Sequence, residues 1–119
     1  MSWFRRKPEQ LVVPEVKFLG EQDGPPERDL KQELIELFRP KHEITAAYLA
    51  KVSYGTDPQV NVALCLQSLT GHDSRLMSEV AKVFSQKFNT HEHLDTIFIR
   101  DAQASELANV CKPFFQISK

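Results

Sequence analysis

The chain has 119 residues, 41% of them hydrophobic and 26% charged, a balance that favours folding over disorder and, at this length, one domain. Lys and Arg number 15 against 16 Asp and Glu, and the net charge of -1 argues against a dedicated nucleic-acid binder. No apolar run approaches the roughly 18 residues of a membrane span.

Residues 1–14 read as an N-terminal tail ahead of one domain over 15–119. Arg5, Arg6 and Lys7 stand beside Trp3 and Phe4, and Pro8 and Pro14 break any helix there. The expected role is a solubilising start whose aromatics pack loosely. The alternative is weak contact with a membrane surface or a partner, since aromatic and basic residues suit lipid headgroups. The start lacks the apolar stretch of a secretory signal. Cys65 and Cys111 are too few for a disulfide scaffold and suit a reducing cytosol, so a cytoplasmic location is expected.

Val16 to Leu19 is a short strand that stops at Gly20. Asp23-Gly24-Pro25-Pro26 is a turn, and a helix follows from about Glu27 to Phe38 with Leu30, Leu34, Leu37 and Phe38 on one face. Arg39-Pro40 ends it, because the residue before proline is pushed out of the helical region. Ile44 to Tyr54 is a strand with Ile44, Ala46, Tyr48, Ala50, Val52 and Tyr54 on one face at period two. Its other face is half apolar and calls for partial cover. Gln59 to Leu69 is a second strand with Val60, Val62, Leu64 and Leu66 inward, and the two form a hairpin across Gly55-Thr56-Asp57-Pro58.

Asp73 is the expected N-cap of a helix from Ser74 to Phe88, whose stripe is Leu76, Met77, Val80, Val83, Phe84 and Phe88; Asn89 ends it. Leu94 to Ile99 is a third strand, apolar on both faces apart from Asp95 and Thr96, which suits a central position in the sheet. Asp101 caps a short helix through Ala104, Leu107, Ala108 and Val110. Lys112-Pro113 ends it, and Phe114 to Ile117 forms a last short strand. The expected fold is α+β, with a mixed β-sheet, packed helices and the order β-α-β-β-α-β-α-β.

Ile44-Thr45-Ala46-Ala47-Tyr48-Leu49-Ala50, Val62-Ala63-Leu64-Cys65-Leu66, and Glu106-Leu107 through Lys112-Pro113-Phe114-Phe115 resemble the C-terminal domain of the enhanced serine sensitivity protein (SseB) family of bacteria. The resemblance runs from about Val16 to Lys119, and its most specific piece is the short helix followed by Lys112-Pro113-Phe114-Phe115. Family members often carry a second, N-terminal domain that these 119 residues do not include. The resemblance implies a fold and a bacterial cytosolic setting. It transfers no catalytic residue.

Each chemical candidate has a structural competitor. His91-Glu92-His93, with Asp95 nearby, could ligate a transition metal, but two solvated loop histidines explain it as well. His42 and His72 look like surface residues. Cys65 and Cys111 could serve as nucleophiles only if a base lowered their pKa, and mid-element thiols usually act as small apolar side chains. Ser53, Ser74 and Ser105 lack a nucleophile elbow, and the four glycines form no phosphate-cradling loop. The expectation is a non-catalytic module without cofactor or metal that binds another protein or a second copy of itself. Tyr54, Phe114 and Phe115 are its candidate contact residues, because adjacent phenylalanines on a strand point to opposite faces. An alternative is an amino-acid sensor with a pocket of Tyr48, Arg100 and Lys112, since a carboxylate wants a cationic partner. A further alternative is an immunity or antitoxin-type protein.

Overall fold

The structure, a computed structural model, describes residues 15–71, 73–88 and 94–117. The expected tail, His72, Asn89 and the His91-Glu92-His93 group lie outside these residues. Eight elements follow in chain order: β1 (Val16–Glu21), α1 (Pro25–Phe38), β2 (Ile44–Tyr54), β3 (Asn61–Ser68), α2 (Ser74–Lys87), β4 (Asp95–Phe98), α3 (Asp101–Ala108) and β5 (Phe115–Gln116). The fold class and element order are those read from the sequence.

Local chemistry accounts for the helices. Pro25 and Pro26 open α1, where a missing N–H costs nothing, and Gly24 enters it at φ +152°, a conformation that side chains resist. Asp73 caps α2: its Oδ1 accepts from the Arg75 and Leu76 amides at 3.0 and 3.2 Å. One N-cap differs from expectation. Asp101 is already the first residue of α3, and the cap position falls to Arg100, whose N–H donates to the Gln103 side chain at 2.9 Å.

The sheet runs β1-β2-β3-β4, with β5 pairing β2 as well. All pairs are antiparallel except β3 with β4, which the α2 crossover makes parallel. β1 and β5 share one edge of β2 end to end. β1 takes the half from Ala50 to Tyr54, and β5 takes Ala46 and Ala47.

Two apolar layers enclose the sheet. On one face α3 brings Ala104, Leu107 and the following Cys111 onto Ala46, Tyr48, Ala50, Val52, Ala63 and Cys65. On the other, α1 and α2 bring Leu30, Leu34, Phe38, Leu76 and Val80 onto Ile44, Ala47, Leu49, Leu64 and Leu66. This is the cover that the half-apolar second face of β2 required.

Three readings are corrected here. Ile44 does not share a face with Ala46 and Tyr48: Thr45 is an extra residue in the register, and this bulge turns Ile44 into the α1–α2 layer. β4 is a four-residue edge strand rather than a long central one, pairing with β3 alone among the described strands. It is apolar on both sides because Ile97 meets the α3 layer and Phe98 the α1–α2 layer. Val60 lies ahead of β3 and is 54% exposed rather than inward.

Candidate functional site

Among the described residues the sheet has two edges without a further strand, the outer side of β4 and the edge formed by β1 and β5, and the second carries a bulge and an exposed apolar side chain. The Gly55 N–H donates to the Glu15 carbonyl at 2.8 Å and sets the phase of the β1–β2 ladder. Lys17 then faces Ser53 in a bonded pair, so Val16 and Phe18 direct their main-chain N–H and C=O away from β2. Leu19 is the extra residue of a bulge between Phe18 and Gly20 and leaves its side chain 47% exposed. The bulge and the exposed Lys17 limit this edge to a short pairing partner. Phe18-Leu19, two adjacent apolar residues just before Gly20, is the sequence signal that could have marked Leu19.

Between β1 and β5 the edge of β2 is closed by single atoms. The Leu49 carbonyl accepts from the Gln22 N–H at 3.0 Å and from the Cys111 thiol at 3.4 Å. Nearby, Lys31 bridges Glu21 and Asp23 at 3.2 and 3.4 Å, and Asp23 also pairs with Arg28 at 3.2 Å. The Arg28 guanidinium, helped by the Gly24 amide, holds the exposed Asp23 carboxyl below its usual range.

Tyr48, Cys65 and Cys111 lie together beneath α3, with Tyr48 directly across the ladder from Cys65. Burial pushes the Cys65 thiol up to about 12, with Cys111 and Asp95 adding to it. Burial, reinforced by Glu21, pushes Cys111 up to about 11 against the opposing effect of Lys31. Burial also raises Tyr48. Both thiols are therefore protonated at neutral pH, the opposite of an activated nucleophile.

The contact residues expected from the sequence are half-buried, and each packs against a core layer. The Tyr54 hydroxyl donates to Asp95 Oδ2 at 2.5 Å, and Asp95 is only 7% exposed. No spacing signal links these two, which stand 41 residues apart. Phe114 and Phe115 both pack against the α1–α2 layer, and Phe115 meets Phe38 edge-to-face with centroids 5.7 Å apart. They share a layer because the ladder begins only at Phe115, which leaves Phe114 in the bend before it. Of the sensor residues, Tyr48 is buried under α3, while Arg100 and Lys112 are exposed beyond its two ends. The helix between them has eight residues and a length of about 12 Å. His42 is exposed, and no group of three metal-ligating side chains occurs among the described residues.

The SseB protein C-terminal domain model matches residues 18–116. The chain belongs to this family. Neither the curated proteins nor the solved structures provide a match. In this SseB C-terminal domain, no helix among the described residues is long and apolar enough to cross a membrane.

Proposed function

We propose that this SseB C-terminal domain is a non-catalytic, cytoplasmic bacterial interaction module that takes a short strand of another protein along β1. The observation that carries the reading is the outer edge of β1, where Val16 and Phe18 turn main-chain groups outward beside the exposed Leu19. Strand addition to such an edge supplies affinity through main-chain bonds and specificity through alternate side chains. The absence of activation at either thiol supports a binding role over nucleophilic catalysis. Asp73 serves as a helix cap, and Glu21, Asp23, Glu36, Glu79 and Glu33 serve in ion pairs, which also favours structural work for the acids.

Leu19→Asp tests the reading, because it charges an exposed side chain and leaves both apolar layers intact. The expected result is a partner captured by the native chain and lost by the variant, with the chain itself monomeric in light scattering. A native dimer that Leu19→Asp dissociates would make a second copy the occupant instead. Equal capture by both forms would overturn the use of this edge.

A further inference from the structure

The segment 100–117 is attached to the rest of the fold differently from every other part. It leaves β4, crosses the sheet as α3, and returns to the far edge of β2 as β5. α3 has eight residues and buries only Ala104 and Leu107, and β5 has two residues. Of the twelve largest fully buried side chains among the described residues, Leu107 alone comes from this segment. The ion pairs among the described residues join β1, α1, α2 and the turns beside them, and none reaches residues 100–117.

Among the described residues its polar attachments to the rest of the fold are few and fall at Asp101 and from Cys111 onward. Asp101 accepts from Gln67 at 3.3 Å in an exposed bond, and the Lys112 N–H reaches Glu21 at 3.5 Å, also exposed. The Phe114 and Ile117 amides donate to the Ala47 and Thr45 carbonyls at 2.9 and 3.1 Å. Cys111 donates to Leu49. Elements with few buried apolar contacts and exposed hydrogen bonds open at lower free energy than the whole fold.

We propose that residues 100–117 are a strap that opens as one unit while β1–β4, α1 and α2 stay folded. Opening lifts Phe114 and Phe115 from the α1–α2 layer and uncovers two further things together. One is the face carrying Tyr48 and Cys65, and the other is the half of the β2 edge that β5 occupies. The Cys111 thiol is released from Leu49 in the same event. The freed Thr45 and Ala47 carbonyls extend the edge at β1 with a second, normally closed stretch.

The two native cysteines are the probes, read by iodoacetamide labelling of the unmodified chain under native conditions with mass-spectrometric mapping, beside amide exchange. Cys65 discriminates because its thiol lies under the strap while its amide belongs to β3. The expected result is one opening constant for both thiols, roughly tenfold or more larger than that of the β3 amides, Cys65's own included. Val80→Ala in α2, under the opposite face, should speed the β3 amides and leave both thiols within about twofold. Thiols that react only at the rate of the β3 amides would overturn the strap. So would a Cys65 thiol lagging Cys111 tenfold, or thiols that Val80→Ala accelerates as much as the amides.

Discussion

Tyr54→Phe separates an interior role for this tyrosine from a docking role. The substitution keeps the ring and removes only the hydroxyl that donates to Asp95. The acceptor is a carboxylate 7% exposed, so water replaces the lost donor poorly. A hydrogen bond to a charged group contributes about 1.5–3 kcal/mol, which sets the expected loss. For a chain of this length, that loss lowers Tm by about 5–12 °C. Thermal unfolding gives Tm, and urea unfolding gives the midpoint and m. The midpoint should fall with m unchanged, and capture of a partner by the folded variant should persist. A double-mutant cycle with Asp95→Asn should return a coupling of at least about 1 kcal/mol. A loss below about 0.5 kcal/mol, or a folded variant that no longer captures its partner, would refute the assignment of Tyr54 to the interior.

Other expectations follow from the same geometry. Asp73→Ala removes the cap that serves the Arg75 and Leu76 amides, and chemical denaturation should show a loss of about 1 kcal/mol. Gly24→Ala forces a side chain onto φ +152° with its Cβ 2.6 Å from Glu27 Oε1, and a loss of about 1–3 kcal/mol is expected in the same assay. The buried thiol of Cys65 makes stability fall with alkaline pH. Its contribution is complete below the unfolded thiol pKa of about 8.5 and is lost as pH rises toward its folded value of about 12. Between pH 9 and 10.5 the stability of Cys65→Ala should decline less steeply than that of the native chain, by about 1.4 kcal/mol per pH unit; parallel slopes would contradict the burial of this thiol.

Much of the fold was legible because its signals are local. The period-two pattern of β2, the stripes of α1 and α2, and the Asp73 cap depend on residues a few positions apart. The misread features depend on distant ones. The bulge at Thr45 that turns Ile44 over is a property of pairing with Gln67 and Ser68, and Thr45 itself carries no special mark. β4 reads as central because helices cover both its faces, yet sheet position is decided by strand neighbours, which composition does not reveal. Near the site, the end of α3 before Lys112-Pro113 was legible, because proline stops a helix locally. The sharing of the β2 edge by β1 and β5 was not, since it joins residues near both ends of the chain. Aromatic character on a strand marks Tyr54 and Phe115, but the contacts of Tyr54 with Asp95 and of Phe115 with Phe38 join distant parts of the chain and carry no local signal.

The outer edge of β1 is the proposed binding surface. Parallel affinity capture with the native chain, Leu19→Asp and Val110→Asp tests it, because Leu19 and Val110 are 47% and 41% exposed and only Leu19 lies on that edge. The predicted result is a partner retained by the native chain and Val110→Asp and absent from Leu19→Asp, with all three unfolding at similar urea concentrations. Loss of the partner from Val110→Asp with retention by Leu19→Asp would contradict it.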